Sequence, residues 1–328
     1  RRTTINHHMM AAQVRCAIRC RSINCLSTNA RRRILTSAAA STTMAAPPSL
    51  AGFVDTHTHL DLIMKRMKGF AGESPATTDA NAWYTAFKSA LPKEQMFEKA
   101  ITVGCSVDTF DAVENFIQNQ DDVYGAFGIH PLNAADWSDE TEARIKSIFE
   151  RNPAKAVAWG ECGLDYHYCD EPEEKSKQRD VFVRQLDIAA ELGLPLVVHT
   201  REAEEDTLAL MSEHLPRDQR IHVHCFTSSV SLAKSLLDLF PTNLCIGFTG
   251  VITFKNASEV RDVVAEVPLD RILLETDGPY MAPTPFRGKV AHPGHVYYVA
   301  QKVSEVKGAP LEEVLATCRA NTTRVYGI

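Results

Sequence analysis

No stretch of the chain reaches the roughly 18 consecutive apolar residues that a membrane-spanning helix requires, so no helical membrane anchor is expected. No G-x-G-x-x-G fingerprint and no Walker loop is present, which removes the usual backbone cradles for dinucleotides and nucleoside triphosphates. The nine cysteines form no paired framework. An odd, scattered set fits reduced thiols in the cytosol or an organelle rather than a secreted scaffold. Cys16, Cys20 and Cys25 are spaced C-x3-C and C-x4-C, but without a partner pair this is a weak zinc signal. Residues 1 to 50 contain no Lys, Asp or Glu, yet they carry eight Arg.

That asymmetry shapes the charge of the rest. The whole chain of 328 residues carries a formal charge of -6, so residues 51 to 328 carry -6 - 8 = -14. So acidic a body has no overall field to attract nucleic acid. If it binds a phosphodiester, a metal centre and a few local bases must do so.

Residues 1 to 48, rich in Arg, Ser, Thr and Ala, are expected to be disordered and to stand outside the fold. Their composition resembles a mitochondrial or plastid transit peptide. A start at Met44 would instead leave a cytoplasmic or nuclear protein. Residues 49 to 328 are expected to form one domain.

Eight short apolar runs follow: Phe53–His59, Ala100–Cys105, Val123–Pro131, Ala156–Leu164, Leu194–Thr200, Arg220–Phe226, Asn243–Gly250 and Arg271–Gly278. Helical patterns lie between them, as in Val181–Leu192, Val230–Leu239 and Ala257–Val267, with a last helix near Leu311–Arg319. Strands alternating with helices imply a parallel sheet, and eight of them imply a closed (β/α)8 TIM barrel of the α/β class. The segment Leu62–Phe97 exceeds a simple connection and is expected to hold a helix over the barrel mouth.

The runs end on chemistry. His57 and His59, spaced by two, face one side of a strand. Glu161 follows Ala, Val and Trp, where a buried carboxylate needs a cation; a position bridging two metals would supply one, and a neighbouring Lys or Arg is the alternative. His199, His224 and Asp277 close three further runs, although a hydrogen-bonded core histidine or a turn-forming Asp would read the same in isolation. In a barrel the C-terminal strand ends converge on one face, so these six could hold one or two divalent cations. His222 shares the alternation of His224 but is not expected to be a ligand, and Glu275 alternates with Asp277. His130, Arg201 and Arg287 are candidates for holding phosphate oxygens.

The segments DTHTHLD, GIHP, GECGLDYH, HTREA, HCFT, GFTGVITF and ETDGPYMAPTPFRGK occur in this order and together resemble the TatD family of metal-dependent deoxyribonucleases, within the amidohydrolase-like barrels. The resemblance runs from Phe53 to Ile328. It implies one metal site at His57, His59, Glu161 and Asp277, and a second at Glu161, His199 and His224, with Glu161 bridging. It implies Glu161 and Asp277 as catalytic residues, Asp277 orienting or deprotonating the attacking water. It further implies 3′-to-5′ exonuclease action, chiefly on single-stranded DNA, in repair or DNA degradation. Mg²⁺ or Mn²⁺ would support activity, and Zn²⁺ suits the mixed ligands equally. The expected working form is a monomer. Three features depart from the family pattern: Ser228, the loop Val290–His295, and the long Leu62–Phe97 segment. The rival readings are a metallohydrolase of another ester or amide bond on the same barrel, and a barrel kept as a non-catalytic scaffold.

Overall fold

In the computed structural model, which describes residues 52–67, 79–92 and 96–328, all eight runs become strands of a single sheet. They are β1 (Phe53–Thr58), β2 (Phe97–Gly104), β3 (Val123–Phe127), β4 (Ala156–Asp165), β5 (Leu196–Arg201), β6 (Ile221–Val223), β7 (Leu244–Phe248) and β8 (Ile272–Leu274). Neighbours in sequence are neighbours in the sheet, and every paired strand is parallel. The helices are α1 (Leu60–Arg66), α2 (Ala80–Ala90), α3 (Phe110–Asn119), α4 (Asp139–Arg151), α5 (Pro172–Glu191), α6 (Glu204–His214), α7 (Val230–Leu239), α8 (Ser258–Glu266), α9 (Val296–Lys307) and α10 (Leu311–Tyr326). This is a TIM barrel. The expected disorder of residues 1 to 48, the three N-terminal cysteines and Met44 lie outside the described residues. The six described cysteines are free thiols.

The seam between β8 and β1 is closed largely by side chains. Thr276 donates from its backbone N–H and its hydroxyl to the two oxygens of Asp55, at 2.9 and 2.5 Å. Thr56 donates to the Leu274 carbonyl at 3.0 Å, and Thr58 bridges Gly278. Inside, Ile101, Val103, Ala126, Ala158, Val197, Cys245 and Leu273 pack together, with Tyr326 from the end of α10 inserted among them.

Several strands stop short of their apolar runs. β3 ends at Phe127 and β6 at Val223, although apolar residues continue to Ile129 and Phe226, and β8 ends at Leu274, ahead of the polar Glu275, Thr276 and Asp277. The chain leaves the ladder there to aim side chains into the mouth. Left-handed backbone at Cys225 (φ 43°) and Asp277 (φ 51°) marks two of these departures.

The long Leu62–Phe97 segment contributes the rest of α1 and the whole of α2. Asp79 caps α2 by accepting from the N–H groups of Asn81 and Ala82. Its buried Trp83, Tyr84 and Phe87 turn toward α3, where Trp83 and Tyr84 meet Phe116, while Phe87 meets His292 of the loop after β8. His292 in turn stacks on His295 with ring centres 3.8 Å apart, and both Nδ1 atoms are buried without a hydrogen-bond partner. Burial pushes their pKa values from 6.5 down to about 4 for His292 and about 3 for His295. The unfolded chain therefore takes up protons first as pH falls. The stability contributed by the neutral rings is full above pH 6.5 and is lost as pH falls toward 4, by on the order of a few kcal/mol. Denaturant titrations across this window should show an acid slope that is shallower by about two protons when both residues are replaced by Phe.

Gln185 of α5 ties β3 to β4. Its side-chain oxygen accepts from the Ile129 N–H (2.9 Å) and the Trp159 indole (3.2 Å), and its amide donates to the Ile129 carbonyl (3.0 Å). Gln185→Leu would strand three buried polar groups and should cost roughly 3–5 kcal/mol in urea unfolding.

Candidate metal centre

The six residues read as ligands converge at the C-terminal mouth of the barrel, and all are buried. β1 supplies His57 directly and His59 just past its end. Glu161 sits at a break in register between β4 and β5: Gly160 pairs Val197 while Cys162 pairs Val198, leaving Glu161 as the extra residue of a bulge. Gly160 adopts φ 129°, which other residues avoid. His199 comes from β5, while His224 and Asp277 follow β6 and β8.

Two sets of atoms meet at Glu161. On one side, His57 Nε2 lies 3.5 Å from Glu161 Oε2 and 3.8 Å from Asp277 Oδ1, and His59 Nε2 lies 3.5 Å from Asp277 Oδ1. On the other, Glu161 Oε1 lies 2.7 Å from His224 Nε2 and 3.0 Å from His199 Nδ1. Ligand atoms about 2.1 Å from an ion in tetrahedral geometry stand about 3.4 Å apart, so the first set has metal-ligand spacing and the second is slightly tighter. His57 Nε2, His59 Nε2 and Glu161 Oε2 are buried with no hydrogen-bond partner. Buried polar atoms are rarely left so, and a cation would satisfy all three.

The surrounding bonds orient the rings as metal ligands usually are. His59 Nδ1 lies 3.1 Å from the Val103 carbonyl, which leaves Nε2 facing the cluster. His199 Nε2 lies 3.3 Å from Asp165 Oδ2, which leaves Nδ1 facing Glu161. Asp165 was not singled out from the sequence. The signal was there: it is a second carboxylate at the end of an apolar strand, and burial demands a partner for it as for Glu161.

Charge follows the same geometry. Burial raises the Glu161 carboxyl, but His224 and the hydrogen bond from His199 outweigh it and hold the group well below its ordinary value. Burial and the neighbouring His224 keep His57 far below its usual pKa, hence neutral and able to donate a lone pair. Burial opposes charging of His59 and His199 as well. Asp277 overrides it at the first and Asp165 with Glu161 at the second, lifting both to about 9. A cation entering here would displace protons, so its affinity should weaken in acid.

His130 also points into the cluster, its Nε2 3.5 Å from Glu161 Oε1. Its Nδ1 accepts from the Leu132 N–H at 3.1 Å. The neutral ring therefore carries its proton on Nε2, which makes it a donor rather than a metal ligand. Burial lowers its pKa to about 4 and keeps it neutral. Arg201 stacks over the Tyr168 ring at 5.1 Å, with its buried Nη1 unpartnered. Arg287 is exposed and packs on Phe254 at 3.6 Å, outside the cluster's hydrogen bonds.

His222 lies a layer deeper than His224. Its Nδ1 is 2.6 Å from the Tyr326 hydroxyl and its Nε2 is 3.1 Å from Glu275 Oε2, without hydrogen-bond alignment. Burial pushes His222 down to about 3 and Glu275 up to about 8, so the pair is buried neutral.

Comparison with known proteins places this geometry. The family model described as TatD related DNase matches residues 54–327. The human 3′-5′ RNA nuclease TATDN2 is 40% identical over 287 residues, covering 86% of this chain but 36% of that protein; the chain thus spans about a third of that relative's length. The metal-dependent hydrolase YabD of Bacillus subtilis is 37% identical over 236 residues, 72% of this chain and 90% of YabD. The crystal structure of YJJV, a TatD homologue from Escherichia coli K12, aligns with a TM-score of 0.70 at 30% identity, covering 84% of this chain and 98% of that one. A TatD family hydrolase from Entamoeba histolytica shares the fold, with a TM-score of 0.71 at 19% identity over 85% of this chain and 99% of that one.

Proposed function

The chain belongs to the TatD-related DNase family of metal-dependent hydrolases, and from that premise we propose that it cleaves single-stranded DNA as a 3′-to-5′ exonuclease. The observation that carries the reading is the position of Glu161, with Oε2 toward His57 and Oε1 toward His199 and His224. One carboxylate thereby serves two ligand sets. His57, His59, Glu161 and Asp277 would hold one divalent ion, and Glu161, His199 and His224 a second. Such ions would lower the pKa of the attacking water and neutralise charge on the phosphoryl oxygens.

The chain's own groups do the rest. A carboxylate oxygen of Asp277 takes the proton of the water, whose oxygen bonds to phosphorus. The bond from phosphorus to the 3′ oxygen of the preceding nucleotide breaks, that oxygen takes a proton from solvent to become the new 3′-hydroxyl, Asp277 returns its proton to solvent, and a nucleoside 5′-monophosphate departs. His130 Nε2–H and the free Arg201 Nη1 donate to non-bridging phosphate oxygens, and Arg287 meets the backbone further out. A second reading, RNA as the substrate, is favoured by the name of the human relative. Among the described residues no helix is long and apolar enough to cross a membrane, and the enzyme is read as acting as a monomer.

The test incubates the metal-stripped full chain, resupplied with Mg²⁺, Mn²⁺ or Zn²⁺, with 5′-labelled single-stranded DNA and RNA of one sequence. A metal-dependent ladder shortening by one nucleotide is expected, stronger on DNA. A ladder on RNA alone would replace the substrate. Intact strands of both kinds from metal-loaded protein would move the activity to another ester or amide bond.

A further inference from the structure

Behind the metal centre runs a buried polar column that the reaction does not use. It begins at Tyr326, the last residue of α10, whose hydroxyl sits among the apolar side chains of the barrel interior. It passes through His222 of β6, 2.6 Å from that hydroxyl, to Glu275, 3.1 Å from His222. It ends where the backbone N–H of Cys225 donates to Glu275 Oε1. His222 and Glu275 have no solvent exposure, and Tyr326 has 4%. The barrel makes room for them at one position: a Cβ on Gly247 of β7 would lie 2.2 Å from His222 Nε2 and 2.7 Å from Glu275 Oε1.

Cys225 is the residue that needs the bond. Just before it, the His224 N–H bonds to the Val198 carbonyl; just after it, the Phe226 N–H bonds to the Gly247 carbonyl. Between these anchors Cys225 takes a left-handed conformation that non-glycine residues seldom adopt. Such a turn persists only where its surroundings over-determine it. Here the turn directs the ring of His224 over His57, with ring centres 4.0 Å apart, and brings its Nε2 to Glu161. The remaining nitrogen of that ring, His224 Nδ1, is buried without a hydrogen-bond partner. Metal-bound imidazoles are commonly held through their second nitrogen. For His224 the backbone must do that work.

We propose that Glu275, packed against a His222 ring that Tyr326 holds, is a positioning residue that sets His224 by holding the N–H of Cys225. The proposal rests on the reading of the cluster as a metal centre. It also gives the end of α10 a hold on the geometry of the mouth, through side chains that touch neither ion nor substrate.

Co²⁺ titrated into the metal-free full-length chain tests it, with affinity and the visible d–d band as readouts. Glu275→Gln keeps an oxygen acceptor for Cys225 and should bind Co²⁺ within about threefold of the wild type, with the same band. Glu275→Met keeps the volume and loses the acceptor; it should weaken Co²⁺ by about tenfold or more and alter the band. Tyr326→Phe keeps Glu275 and releases only the hydrogen bond that holds the His222 ring packed against it. It should shift affinity in the same direction by a smaller factor, and it decides the matter should the Met variant fail to fold. Wild-type affinity and band in a folded Met variant would overturn the proposal, as would a Gln variant as impaired as the Met variant. Wild-type protein that binds no Co²⁺ would instead overturn the metal-centre reading on which the proposal stands.

Discussion

Glu161→Gln is expected to lower kcat/KM by about 10³-fold or more, roughly 4 kcal/mol of transition-state stabilisation. The substitution keeps the size of the side chain and removes its charge. Glu161 is 2% exposed, and four imidazoles lie within 3.5 Å of its oxygens: His57, His130, His199 and His224. A neutral amide there offers an oxygen to one ligand set and an N–H to the other, and an N–H repels a cation. Both ligand sets should therefore weaken together. Elemental analysis of purified protein checks this directly, since a fall in bound metal should accompany the fall in rate. A variant that retained its full metal content and activity would remove Glu161 from the centre.

Asp277→Asn should lower kcat by about 10²–10⁴-fold, the usual range for a lost acid–base group, with a small change in KM. The backbone at Asp277 has φ 51°, a conformation that Asn tolerates nearly as well as Asp, so the turn should survive. Its N–H bond to the His57 carbonyl, 2.9 Å, is a backbone contact and also survives. What disappears is a proton acceptor 3.5 Å from His59 and 3.8 Å from His57. Steady-state kinetics on the oligonucleotide, with thermal unfolding as the control, separates lost chemistry from lost structure. An equally large rise in KM would assign Asp277 to substrate binding instead.

The barrel was legible because each strand is a short apolar run bounded by turns, and eight such runs leave few alternatives. The parity of His57 and His59 could also be read, since strand side chains alternate strictly. Glu161 was legible only as a buried acid in need of a partner. Its aim depends on the bulge at Gly160, and a bulge shifts parity without a fixed sequence sign. His222 and His224 share the same alternation, yet only depth in the barrel separates a residue at the mouth from one beneath it. Depth depends on where β6 ends, and both β3 and β6 end before their apolar character does. Arg287 illustrates a different limit. Its place on Phe254 is set by the path of a loop, and neither composition nor period encodes that path.

The seam between the first and last strands bears on when the site can exist. His57 and His59 are made first, and Asp277 follows more than two hundred residues later. The contacts joining them, such as Asp55 with Thr276 at a separation of 221 residues, span nearly the whole domain. A nascent chain still lacking β8 has the imidazoles of one ligand set without Asp277, one of its two carboxylates, and it lacks Thr276 to tie them down. Assembly of the mouth is therefore a terminal event, as expected for contacts of high sequence separation. A metal-dependent hydrolase of this build therefore has no complete ligand set until β8 and the residues just after it have been made.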